Sequence, residues 1–151
     1  MTKVKADPKS EHLIGVLGPR YKGNYDLVMP AILKAIDRAH YEAEDDKKHF
    51  VIIHDGVTSG VTGEVIETVN KTMTSLRALG YNVSARRLPL DVELHGKQAH
   101  YRWVDDLLTL DLALLVLFDN DEFYPVRYAE REAAKLDITV TKTAIKPEKK
   151  D

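Results

Sequence analysis

Short apolar runs alternate along this chain with longer segments in which apolar residues recur every three or four positions. Unbroken apolar runs of roughly four to eight residues are typical of strands covered on both faces of a parallel sheet. The third run is more polar than the others, and we expect it nearer an edge of the sheet. The predicted strands cover residues 12–17, 50–54, 82–88, 112–118 and 138–141.

Between these runs, apolar residues at helical spacing predict amphipathic helices. The predicted helices lie within 27–39, 65–76, 99–108 and 125–136. Because proline cannot donate a backbone hydrogen bond, we expect Pro30 in the first turn of its helix or at the end of a shorter preceding one. The alternation of strand and helix predicts an α/β fold, in which a mostly parallel sheet of about five strands carries helices on both faces.

The composition is that of one globular domain, with 151 residues of which 44% are hydrophobic and 30% charged. We expect a loose arm over 1–11, a single domain over 12–143 and a charged tail over 144–151. The net charge of -2 provides no basic field, so a nucleic-acid partner is not expected. The absence of cysteine excludes disulfides and thiolate chemistry. The sequence contains no apolar run long enough to span a membrane and no apolar leader, so we expect a cytoplasmic protein without a membrane partner.

The loops that follow the strands are the expected place of a ligand, because parallel α/β sheets bind ligands beyond the carboxyl ends of their strands. The loop over 55–64 is rich in glycine and hydroxyl groups and leads into a helix near Thr62. Phosphate needs closely approaching backbone N–H groups and the positive end of a helix. This loop therefore predicts a phosphate-binding turn, with glycines for its unusual backbone conformations and hydroxyl groups as further donors. Its predicted ligand-binding residues are Gly56, Thr58, Ser59, Gly60 and Thr62.

Alternatives remain open at this loop. Its spacing is neither the Walker pattern nor the dinucleotide pattern, and an ordinary strand-to-helix turn with a hydroxyl cap is the other interpretation. Glu64 lies in the first turn of the predicted helix. It either favours the helix dipole alone or is a carboxylate that faces a sugar.

The other loops add candidates. Gly18 and Arg20 follow the first strand, and the arginine either clamps a phosphate or lies in solvent. Lys97 and Arg102, near the start of the third helix, would neutralise a ligand phosphate. Asp119 opens an acidic cluster that either binds a ribose hydroxyl or Mg²⁺ or forms a solvated turn.

Histidines do not indicate a metal site in this sequence. None of the six forms a His-x-x-x-His spacing, so we expect no metal, and no separate cofactor is implied. His54, at the end of a buried strand, is expected to be a core histidine.

Four segments resemble motifs of the SLOG superfamily, which contains the LOG-type phosphoribohydrolases and the DprA-type DNA-uptake proteins. The YspA-type branch is the most similar, and the resemblance spans about residues 12 to 142. Thr62 stands where that family has aspartate, Trp103 stands where it has asparagine, and the LOG-type Pro-Gly-Gly-x-Gly-Thr-x-x-Glu motif is absent as such. The segments are Ile-Gly-Val-Leu-Gly-Pro-Arg at 14–20, Ile-Ile-His-Asp-Gly-Val-Thr-Ser-Gly-Val-Thr at 52–62, His-Gly-Lys-Gln-Ala-His-Tyr-Arg-Trp at 95–103 and Asp-Leu-Ala-Leu-Leu-Val-Leu-Phe at 111–118.

The resemblance implies a Rossmann-like three-layer sandwich that binds a nucleotide or nucleotide-derived ligand as a sensing or sequestering module. It also implies a homo-oligomer, since such proteins often pair through helices beside the site. The alternative is an N-glycosidase, a phosphoribohydrolase acting on nucleoside monophosphates, with Glu64 as its catalytic carboxylate. A DNA-processing accessory is a third class, against which the near-neutral charge counts.

Overall fold

A computed structural model describes residues 11–19, 25–42, 49–56 and 60–145. Within these residues, strands and helices alternate, and a short 3₁₀ turn at Gly96–Gln98 precedes the fourth helix. The strands are β1 (His12–Leu17), β2 (His49–His54), β3 (Asn82–Arg87), β4 (Leu112–Asp119) and β5 (Val140–Ala144). The helices are α1 (Tyr25–Glu42), α2 (Val61–Ala78), α3 (Val92–His95), α4 (Ala99–Leu107) and α5 (Pro125–Lys135).

The strands form one five-stranded sheet in the order β3-β2-β1-β4-β5, and every neighbouring pair is parallel. The predicted fold class is therefore confirmed, and the more polar third strand does lie at an edge. The last strand differs from the prediction, since it begins at Val140 rather than at residue 138. The reason is the end of α5, where Asp137 takes a positive φ of 57° and the Ile138 N–H donates to the Ala133 carbonyl. Ile138 thus belongs to the helix-ending turn.

Both faces of the sheet are covered. Helices α1 and α2 pack on one face, and α4 and α5 pack on the other. Strand β4 is apolar from Leu112 to Phe118 because its side chains enter both layers. Leu114, Val116 and Phe118 belong to the first layer, and Leu115 and Leu117 to the second. A strand covered on both sides alternates between two cores, so no position is left for a polar residue.

Pro30 corrects one prediction, because it lies inside α1, five residues after its start. The ring itself is exposed, while Val28 and Ile32 on either side are fully buried. Packing of this apolar stripe outweighs the one backbone hydrogen bond that proline cannot donate.

The ends of the chain lie largely outside the described residues, and so does most of the predicted arm over 1–11. At the other end, β5 runs to Ala144 and Ile145 is buried, with 7% of its surface exposed. Among the described residues, no helix combines the length and the apolar character that crossing a membrane requires.

The position of β4 between β1 and β5, with helices on both faces, makes a prediction about stability. Leu115 is fully buried, so Leu115→Ala is expected to lower the free energy of unfolding by about 2–5 kcal/mol. Leu94 is 72% exposed, and Leu94→Ala should change it by less than about 0.5 kcal/mol. Urea unfolding followed by circular dichroism measures both variants. Equal losses in the two would contradict the packing of β4.

Candidate functional site

The carboxyl edge of the sheet contains the switch point of the fold. Strands β2 and β4 lie on opposite sides of β1. The carboxyl ends of β1 and β4 are therefore the place where α/β sheets of this strand order bind ligands. Gly18 follows β1 at this edge, and Asp119 ends β4.

Helix α2 begins next to the end of β1. The Val61 N–H donates to the Pro19 carbonyl at 3.1 Å, which ties the start of the helix to the first loop. A Cβ placed on Gly18 would lie 2.8 Å from Cγ1 and 2.9 Å from Cβ of Val61. Gly18 is thus required for close packing between the two segments. Gly60 is the N-terminal cap of α2 and provides no side-chain hydrogen bond to it.

The turn after β2 is described at its two ends. Gly56 takes a φ of 79°, which an L side chain rarely adopts, and its N–H donates to Nδ1 of His54 at 3.0 Å. The predicted ligand residues Thr58 and Ser59 lie outside the described residues, and so does Arg20.

Asp55 is the centre of a buried polar cluster. Its carboxylate is 4% exposed, accepts a hydrogen bond from Thr62 Oγ1 at 2.9 Å on Oδ1, and has Oδ2 3.5 Å from Nε2 of His100. The His100 ring is 12% exposed and lies edge-on to Phe123, with 5.0 Å between ring centroids. Burial of a carboxylate is costly unless polar partners replace water. The Thr62 hydroxyl hydrogen is therefore committed to Asp55.

His54 and Arg87 lie on the other side of the same turn. Burial lowers the pKa of His54; the Asp55 carboxylate opposes this shift and the Arg87 guanidinium adds to it. Arg87 also covers Gly56, since a Cβ on Gly56 would lie 2.6 Å from Nε of Arg87. His54 is 6% exposed, which agrees with the expected core histidine.

Glu64 lies in the first turn of α2 and is 4% exposed. Its backbone carbonyl accepts a hydrogen bond from the Thr68 hydroxyl at 2.9 Å. The helix thus holds a carboxylate below the surface close to its N-terminus.

The cationic candidates of the third predicted helix lie on the surface. Lys97 lies on the 3₁₀ turn and Arg102 on α4, and both are exposed. The next residue, Trp103, is buried, and its indole N–H donates to the Leu88 carbonyl at 2.7 Å. Among the described residues, no hydrogen bond or ion pair joins Lys97 or Arg102 to the turn.

Asp119 and Asn120 organise the loop after β4. Asp119 Oδ1 accepts from the Asp121 N–H at 2.8 Å, and its other oxygen lies 3.9 Å from Nζ of Lys142. Asn120 is buried, and its amide oxygen accepts from the backbone N–H groups of Glu122 and Phe123. These bonds match the turn interpretation of this acidic segment.

The described residues contain no group of three or more acidic or histidine side chains that could hold a metal ion. A shallow pocket of about 220 Å³ lies at the opposite end of α4 from His100 and contains Asp105, Leu108 and Leu136. It is formed by helix ends away from the switch point, so it does not belong to this site.

Sequence reasoning did not assign roles to Asp55, Arg87 or His100. Asp55 carried a signal, since it is the first polar residue after a fully apolar strand end. Arg87 and His100 carried none, because only the order of the strands brings their segments to the turn.

The contact between Gly18 and Val61 predicts a coupled pair. Gly18→Ala is expected to destabilise the fold by about 1–3 kcal/mol because the added methyl overlaps Val61. Val61→Ala removes the two Cγ contacts and keeps the Cβ contact at 2.9 Å, so it relieves part of the overlap. The double variant should therefore lose less than the sum of the single losses, by about 0.5–3 kcal/mol. Val69→Ala, on the same helix, is the control and should be additive with Gly18→Ala. Additivity of both pairs in urea unfolding would contradict the contact.

The environment of His54 predicts a dependence of stability on pH. Burial lowers the pKa of His54 in the folded state, so below about pH 6.5 the unfolded chain binds a proton that the folded chain resists. The free energy of unfolding should therefore fall as the pH drops through this range. His54→Gln should reduce the slope of unfolding free energy against pH between about pH 5 and 7. Parallel curves for both proteins would contradict the assignment, and His95→Gln is the matched control.

Comparison with known proteins assigns no family to this chain. Searches of protein-family models and of curated sequences find no match. A solved structure of a universal stress protein from Archaeoglobus fulgidus is similar with a TM-score of 0.49 and 17% identity, over 89% of this chain and 93% of that one. At this level the likeness does not extend to function.

The SLOG resemblance is therefore wrong, and so is the YspA-type branch. No family model supports it, and the similar solved structure is a universal stress protein. The matched segments have structural causes of their own: Gly18 accommodates Val61, and Trp103 fills the core. The homo-oligomer was inferred from that resemblance. It stays a prediction, which light scattering can test.

Proposed function

We propose that this protein binds a nucleotide or nucleotide-derived ligand at the carboxyl edge of its sheet, as a sensing or sequestering module. The observation that carries the proposal is the position of the α2 N-terminus, which the bond from the Val61 N–H to the Pro19 carbonyl holds at the switch point. The first-turn N–H groups of a helix and its dipole favour a phosphate at such a place.

The distribution of buried polar side chains supports the same edge. Six are buried among the described residues, and all except Thr68 lie at strand ends, in the loop after β4 or in the first turn of α2. Buried polar groups cost stability unless they are satisfied, so their concentration at one edge favours a functional origin. The six are His54, Asp55, Thr62, Glu64, Thr68 and Asn120.

In the proposed complex, the phosphate lies on the turn from Gly56 to Thr62. Thr58, Ser59 and Arg20 belong to this site by their position in the sequence. Lys97 and Arg102 add positive charge from the α4 side of this edge, next to His100. Asp119, on the β4 side, is the acceptor proposed for a ribose hydroxyl.

The alternative function is hydrolysis of the N-glycosidic bond of a nucleoside monophosphate. The observation that favours it is the buried carboxylate of Glu64 in the first turn of α2. This carboxylate would stabilise the sugar cation as the bond to the base breaks, or activate the water that adds to the sugar carbon. The base would leave with a proton.

One panel experiment separates the two functions. Nucleosides, their 5′-mono-, di- and triphosphates and inorganic pyrophosphate are added while melting temperature and free base are measured. Binding predicts that phosphorylated ligands at about 100 times Kd raise the melting temperature by about 5–10 °C, without base release.

Base release that disappears in Glu64→Gln would instead favour hydrolysis. Glu67→Gln is the control, since Glu67 is exposed on the same helix and pairs with Lys71 at 3.0 Å. If no nucleotide stabilises the fold and none is cleaved, both functions are wrong.

A further inference from the structure

Arg87 ends the edge strand β3 directly beside the turn. In the sheet it is paired with His54, the last residue of β2. Side chains alternate between the faces of a strand, so Arg86 and Arg87 point to opposite faces. Arg86 donates to both carboxylate oxygens of Glu11, at 3.0 and 3.4 Å.

The Arg87 side chain lies across Gly56. A Cβ on that glycine would lie 2.6 Å from Nε, 2.8 Å from Cδ and 3.1 Å from Cγ of Arg87. The positive φ of Gly56 and this contact together explain why a glycine opens the turn. The guanidinium is close enough to lower the pKa of His54.

Within the part of the chain that the structure describes, Arg86 and Arg127 each pair with a carboxylate, whereas Arg87 forms no ion pair. Arg87 is exposed, its stem lies against Gly56, and the backbone that follows is hydrogen-bonded. There, the Leu88 N–H donates to the His54 carbonyl at 2.8 Å, and the Leu88 carbonyl accepts from Trp103.

We propose that Arg87, beside Gly56 at the end of the edge strand, binds the ligand phosphate. This inference rests on the proposed function and adds to it a cation that comes from β3. A guanidinium presents two parallel N–H donors to phosphate, a geometry that lysine cannot reproduce. Gly56 then serves the ligand indirectly, because a side chain there would displace Arg87.

The test compares Arg87→Met with Arg86→Met by calorimetric titration. The probes are inorganic pyrophosphate, the 5′-monophosphates of the four common ribonucleosides, and the nucleosides themselves. Arg87→Met should weaken binding of the phosphorylated probes by about 10- to 100-fold and leave nucleoside binding unchanged. Arg86→Met removes a charge from the neighbouring position on the other face and should leave all affinities within about twofold. Arg87→Lys should lie between wild type and Arg87→Met, and added salt should reduce the difference.

The outcomes distinguish this inference from the function on which it rests. Unchanged affinity of Arg87→Met for monophosphates would show that Arg87 is not the phosphate ligand and leave the proposed function intact. If pyrophosphate binding depends on Arg87 but no nucleotide binds, Arg87 is supported as the phosphate ligand. The proposal that the natural ligand is a nucleotide is then wrong. If wild type binds no phosphorylated probe, both are wrong. Thermal melts of each variant confirm that it folds.

Discussion

The buried carboxylate of Asp55 is the interaction on which the carboxyl edge depends. It lies at the end of a central strand, accepts from Thr62 on the helix of one layer, and faces His100 on the helix of the other layer. A carboxylate removed from water must be compensated by such partners. Asp55 therefore connects two helices whose apolar residues belong to different core layers.

Most of the fold could be predicted from the sequence because its signals are local. The residues from Leu114 to Phe118 can all be buried only if apolar layers cover both faces of their strand. This requires a sheet with helices on both faces. The predicted ends of elements were less accurate in two places. Ile138 belongs to the turn that ends α5 rather than to β5. Pro30 lies inside α1 because packing of the helix outweighs the preference of proline for a helix start. Neither effect is visible in periodicity.

The sequence indicated where the candidate site lies but not which side chains meet there. Glycines mark the turn, yet Gly18 and Gly56 satisfy steric demands of the fold that many strand-to-helix turns share. A family likeness built on such positions was therefore misleading. The partners of the turn, Arg87 and His100, come from distant segments that only the strand order brings near.

Trp103 gives this edge of the sheet a natural optical reporter. It is the single tryptophan of the chain, and its indole is hydrogen-bonded to the carbonyl of the residue that follows Arg87. Indole emission responds to the polarity and hydrogen bonding of its surroundings. A small movement of the end of β3 would therefore change the emission wavelength and intensity of the tryptophan fluorescence. Conformational changes at the turn can thus be followed in real time without an added dye.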